Sequence, residues 1–81
     1  MAKKFKKQEE QRQIGRIRLS DSEDLVATIV GDERLDLRVW VETEKYQGPT
    51  KRGVRFYLFD GIWGEFKKLV GNVDKEVKDL E

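Results

Sequence analysis

Four arginines and two large aromatic rings recur at alternate positions along three segments of the chain: Arg16 and Arg18, Arg38 and Trp40, Arg55 and Tyr57. A guanidinium is planar, permanently charged and shaped to pair with phosphate oxygens, and a flat ring offers unpaired bases a stacking surface worth ~1–3 kcal/mol each. Duplex bases have no free face to stack, so this chemistry favours single strands. Lys51 and Arg52, bracketed by Gly48 and Gly53, add cations, and Lys4 with Phe5 adds a charge and a ring near the N-terminus. Two blander readings compete. Trp40 and Tyr57 are types enriched at protein interfaces, and the arginines have the acids of residues 21–33 as ready partners.

Catalysis is disfavoured by what is missing. The chain has no histidine and no cysteine, which removes the usual general base, the commonest metal ligand and the thiolate nucleophile. A nuclease would need carboxylates clustered around a divalent metal. Asp36 is alone among the arginines, and it is read as orienting Arg16 or Arg38 through a salt bridge. The expectation is a non-enzymatic chain with no metal, no cofactor and no small-molecule substrate.

The elements that position these residues follow from periodicity. From Gln13 the chain alternates, with Ile17 and Leu19 on one face of a strand and Arg16 and Arg18 on the other. Asp21-Ser22-Glu23-Asp24 reads as a turn, and Leu25 to Val30 as a second strand closed by Gly31-Asp32. Arg34 to Glu44 alternates most clearly, with Leu35, Leu37, Val39 and Val41 opposite Asp36, Arg38 and Trp40. Gln47 to Gly53, with two glycines and the single proline, reads as a loop. Val54, Phe56 and Leu58 then resume the apolar face opposite Arg55, Tyr57 and Phe59. Four strands joined by short turns make a meander.

At Asp60, a good N-cap residue, the period changes to that of a helix. Trp63, Phe66, Val70, Val73 and Val77 form a stripe, widened by Ile62, Leu69 and Leu80, along about five turns. Gly64 and Gly71 interrupt this helix; they read either as weak points or as sites of close packing, and close packing is preferred. The fold class expected is α+β: a four-stranded antiparallel sheet whose apolar face is covered by one C-terminal helix. Residues 1–12, polar and basic apart from Phe5, read as a flexible arm, and 13–81 as the domain.

Composition bounds the rest. Eighty-one residues, 37% hydrophobic and 41% charged, make one small domain that is only marginally stable alone, so self-association is expected. Net charge is +1, but it is segregated: residues 1–18 hold seven Lys/Arg against two Glu, and residues 21–33 hold five acids and no base. The longest uncharged run, Leu25 to Gly31, falls far short of the ~20 apolar residues of a membrane span. The basic N-terminus lacks the apolar core of a signal peptide, so a cytoplasmic location is expected, with nucleoid association if the source is bacterial.

Four stretches in order resemble the positive cofactor four family of transcriptional coactivators and its bacterial single-stranded DNA-binding relatives. They are Gln13-Ile14-Gly15-Arg16-Ile17-Arg18, Leu35-Asp36-Leu37-Arg38, Gly48-Pro49-Thr50-Lys51-Arg52-Gly53-Val54, and Gly61-Ile62-Trp63 through Phe66-Lys67-Lys68-Leu69. The resemblance spans roughly residues 13–79. It implies a curved sheet followed by a helix, and a homodimer joined through helices at Trp63, Phe66, Val70, Val73 and Val77. It further implies strand-one contacts at Arg16 and Arg18, a strand-three contact at Arg38 and a basic loop at Lys51 and Arg52. The family's Tyr-Trp pair is replaced by Val39-Trp40-Val41, and no second ring stands at Ile29, Val30 or Gly31. Stacking would then fall to Trp40, Tyr57 and Phe5. The long Ser-rich region of eukaryotic members is absent, which points to a compact bacterial type.

The expectation is therefore a dimer that binds single-stranded DNA, or RNA, with little sequence preference, contacting it through Arg16, Arg18, Arg38, Lys51, Arg52 and Arg55, with Lys4 on the arm. The alternative is a protein-interaction module of the transcription machinery acting through the acidic Asp21–Asp24 turn.

Overall fold

A computed structural model describes residues 10–81 of the chain. Four antiparallel strands, β1 (Gln11–Ser20), β2 (Glu23–Val30), β3 (Arg34–Glu42) and β4 (Gln47–Tyr57), lie in sequence order in one sheet, and helix α1 (Ile62–Leu80) follows. This is the expected α+β meander. Irregularities at Gln13/Gly15, Arg18/Ser20 and Arg38/Trp40 curve the sheet, because each extra residue bends its strand and increases the local twist. Among the described residues no helix is long and apolar enough to cross a membrane.

Several boundaries differ from expectation. β1 starts at Gln11, inside the expected arm, because Gln11 and Arg12 pair with Val30 and Ile29. Glu23 and Asp24 belong to β2 rather than to the turn, which shrinks to Asp21-Ser22. The β2–β3 turn takes two successive positive φ angles, at Gly31 (64°) and Asp32 (61°), residue types that tolerate the left-handed region. The segment expected as a loop from Gln47 to Gly53 is strand. The turn lies earlier, at Thr43–Tyr46, where the Thr43 hydroxyl accepts from the backbone N–H of Lys45 and Tyr46 at 3.3 and 3.1 Å. Pro49 fits because β4 is an edge strand.

β4 carries its own irregularity. Trp40 pairs with Pro49 while Arg38 pairs with Gly53, so Thr50, Lys51 and Arg52 bulge opposite Val39. The Thr50 hydroxyl donates to the Val39 carbonyl at 2.7 Å and fastens the bulge. A Cβ on Gly53 would stand 2.3 Å from the Leu37 carbonyl oxygen and 2.7 Å from the Arg38 Cα. No side chain fits there.

The expected covering of the apolar face does not occur within one chain. Helix α1 buries none of its residues, and it touches the sheet only at β4. Phe66 packs on Phe56, ring centroids 5.2 Å apart, and Trp63 stacks on Phe66 at 5.6 Å. Beyond that turn the stripe is open, and so are Ile14, Ile17, Leu19 and Val54 on the sheet. An apolar groove of about 530 Å³ runs between them, lined by Ile29, Leu35, Leu37, Phe59 and Trp63 among others. The helix is capped by Gly61 in the left-handed region (φ 86°) rather than by Asp60, which itself sits at φ 61° in the turn.

The most buried side chains lie on the other face. Val26 and Val30 are fully buried, and Asp24 and Thr28 of the same strand alternate with them. Val26 is flanked in register by Arg16 and Arg38, and Val30 stands opposite Arg34. Arginine stems are long enough to cover such apolar neighbours.

Gly64 and Gly71 do not pack closely: a Cβ at either meets nothing within 4 Å. At 100° per residue they fall about 140–160° from the centre of the apolar stripe. The weak-point reading is the one the single chain supports. Gly71→Ala is therefore expected to raise stability by about 0.5–1 kcal/mol, and Gly53→Ala to lower it by about 1–3 kcal/mol through the backbone clash. Urea unfolding at fixed protein concentration reads both; a destabilised Gly71→Ala would mean that something packs on the polar side of the helix.

Candidate nucleic-acid interface

Strand alternation puts Arg34, Asp36, Arg38, Trp40 and Glu42 of β3 on one side of the sheet. The register adds Arg16 and Arg18, opposite Val26 and Asp24, and Arg55 and Tyr57, opposite Asp36 and Arg34. This side carries the sequence-predicted arginines, and their heads are not scattered. They gather on two nearly buried carboxylates.

Asp24 holds the first pair. Arg16 Nη1 and Arg18 Nε each lie 2.8 Å from its carboxylate. Arg16 also donates to the Gln13 side chain at 3.3 Å, and Arg18 Nη1 donates to the Asp21 carbonyl at 2.7 Å. Asp36 holds the second pair. Arg38 approaches it through Nη2 at 2.7 Å and Nε at 3.1 Å, while Arg55 Nε donates at 3.3 Å. Arg38 Nη1 reaches on to the Thr50 carbonyl at 3.1 Å, passing where Gly53 leaves room. The Arg38 hydrogen bond, more than any other influence, holds the Asp36 carboxyl below its ordinary value of 3.8, against the opposing effect of burial. Asp36 thus orients Arg38, as expected, while Arg16 goes to Asp24.

One carboxylate between two guanidinium groups leaves each cluster a net positive charge and leaves guanidinium N–H groups for a ligand. Asp36 stands opposite Thr28, four residues along β2 from Asp24. That sets the clusters about 14 Å apart along the sheet. Trp40 belongs to the first: the Arg16 guanidinium carbon sits 5.5 Å from its ring centroid, a cation–π contact. A depression of about 280 Å³ opens beside this ring, bounded by Arg16, Arg18, Asp24, Trp40, Glu42 and Gln47 among others.

The remaining predicted residues are more dispersed. Tyr57 meets Phe59 edge-on at 5.6 Å and pairs in register with Arg34, six residues along β3 from Trp40, or roughly 20 Å away. Lys51 is exposed on the β4 bulge. Arg52 is paired with Glu23, which by alternation with Asp24 points to the opposite, apolar side, so Arg52 does not join the clusters. Lys4 and Phe5 lie outside the described residues. Among the helix positions Phe66 is half-buried, while Trp63, Val70, Val73 and Val77 are exposed.

Sequence reading missed Tyr46, Glu42 and Gln47. Tyr46 is exposed, and its hydroxyl donates to the carbonyl of Pro49, the register partner of Trp40. Glu42 was in view as the next step of the Arg38, Trp40 alternation, and Gln47 pairs with it. Among the described residues no group of three or more carboxylates could hold a metal. No family model, curated protein or solved structure matches the chain.

Asp36→Asn is expected to lower stability at pH 7 by about 1–3 kcal/mol by releasing two guanidinium groups. A lowered folded-state pKa contributes stability that is complete above the unfolded value and is lost as pH falls through the folded one. The gap between wild type and variant should therefore be widest above about pH 5 and close as pH drops below 3.8. Urea midpoints across pH 3–7 measure it, and a gap independent of pH would contradict the assignment.

Proposed function

We propose that this chain binds single-stranded DNA without catalysis and with little overall sequence preference, as a homodimer in which the arginine–tryptophan face of each copy receives the strand. The observation that carries the reading is the pair of arginine clusters, Arg16/Arg18 and Arg38/Arg55, on one continuous face with Trp40 beside the first. Phosphates supply the anions that guanidinium groups bind best, and only an unpaired strand offers a base to the ring. The four stretches that resemble the positive cofactor four family support the same reading, as does a helix whose polar side is mixed in charge and so unsuited to a duplex groove. RNA presents the same chemistry to this face.

The dimer is supported by what one chain leaves uncovered. Among the described residues the helix stripe and the apolar sheet side, with Phe59 in the groove between them, together expose twelve large hydrophobic residues, more than a stable soluble monomer ordinarily shows in contiguous patches. A second copy placing its stripe, Trp63 to Val77, against the first would bury both, each large side chain contributing about 1.5–3 kcal/mol. The interaction-module alternative has less support: two of the three acids of the turn on which it rests, Glu23 and Asp24, are engaged by Arg16, Arg18 and Arg52.

Anisotropy of a labelled ~20-nucleotide oligothymidine, against its duplex, tests the reading. The single strand should bind far more tightly, with affinity falling at a log–log salt slope of about −2 to −3 if three or four phosphates are neutralised. Arg38→Ala with Trp40→Ala should weaken binding about tenfold or more. Equal affinity for duplex, or no loss in the double variant, would overturn it.

A further inference from the structure

The depression beside Trp40 has a chemistry of its own that backbone binding does not use. All four strands meet there. Arg16 and Arg18 on β1 supply donors, Trp40 on β3 a ring, and Glu42 on β3 with Gln47 on β4 a carboxylate and an amide. Alternation directs Trp40 and Glu42, two residues apart, to the same side, and Gln47 is the register partner of Glu42. At about 280 Å³ the space is at or below the ~300–1,000 Å³ of small-molecule pockets, suited to one ring system.

We infer that this depression is a nucleobase subsite that selects guanine. The inference rests on the single-strand reading and adds base choice at one position per binding face. In register Arg18 and Trp40 both stand opposite Asp24, so Arg18 lies two strand spacings, about 10 Å, from Trp40 across the sheet, and Glu42 lies two residues, about 7 Å, further along β3. A base bridging that span must accept hydrogen bonds at one edge and donate at the other. Guanine does both in pairs: O6 and N7 accept from a guanidinium, as in the commonest arginine–base contact, and N1–H with N2–H₂ donate to the two oxygens of one carboxylate. Thymine offers a single N–H, and the shorter pyrimidines leave one side unmet. Asp24 does not compete for the base: Oδ2 accepts from Arg16, and Oδ1, ion-paired to Arg18 at 2.8 Å but accepting no hydrogen bond, is buried away from a ligand. That leaves Glu42 as the acceptor, with Gln47 beside it.

The test uses the full chain and oligothymidines of one length carrying a single central guanine, inosine, cytosine or no replacement. Inosine keeps O6 and N7 but lacks the exocyclic amine. The guanine strand is expected to bind about tenfold more tightly than the thymine strand, and several-fold more tightly than the inosine strand, on the ~1–3 kcal/mol of a bidentate contact. In Glu42→Gln the guanine-to-inosine ratio should fall to about one. Equal binding of all four strands would overturn the subsite while leaving single-strand binding standing. A guanine preference that survives Glu42→Gln would overturn the assignment of the reader. Failure of every strand to bind would remove the parent reading and this one together.

Discussion

The fold depends on carboxylates set beneath arginines. Asp24 and Asp36 project from the two central strands and are buried beneath arginines: Asp24 is shared by Arg16 and Arg18 of β1, and Asp36 by Arg38 of its own strand and Arg55 of β4. Without the arginines these acids would be buried and unpaired, which is among the costliest defects a small domain can carry. Without the acids, the arginines of β1, β3 and β4 would repel one another on one side of the sheet. The arrangement ties β1 to β2 and β3 to β4, and it fixes Arg16 and Arg38 on either side of the buried Val26. Cohesion and the cationic face are one feature.

That feature explains why the other side is open. In a chain of this size the arginine side already contains its most buried residues, and the helix leaves the sheet after its Phe66–Phe56 contact. Among the described residues the apolar face and the stripe have no partner beyond that contact. The proposed dimer and the proposed binding face therefore divide the sheet between them, one side each. Arg52, paired with Glu23, belongs by alternation to the first side, which is why it stands apart from the other cations.

Much of this was legible in the residues. Period-two alternation fixed which side chains share a face in β1, β3 and the second half of β4, and the change of period marked α1. Alternation does not say which face is closed. The informative strand was β2: Leu25-Val26-Ala27-Thr28-Ile29-Val30 carries apolar residues on both sides, and the register sets Arg16, Arg38 and Arg34 beside Val26 and Val30. Gly48-Pro49 and Gly53 read as a loop because those types usually break strands; here proline sits on an edge and glycine makes room for Arg38. Asp60-Gly61 read as a cap followed by a helix, yet the turn needs two positive φ angles and moves the cap to the glycine. Glu42 and Gln47 escaped notice because a lone acid beside a basic cluster looks like a solvent-facing partner until the depression is seen.

The central claim is a division of labour between the two sides of the sheet, and a heteronuclear NMR titration of the labelled chain with oligothymidine tests it most directly. The side-chain N–H of Trp40 and the Nε–H signals of Arg16, Arg38 and Arg55 should shift on binding, while Ile17, Val70 and Val73 stay in place. Shifts confined to the helix stripe and the apolar sheet face, with the Trp40 indole unmoved, would contradict the account.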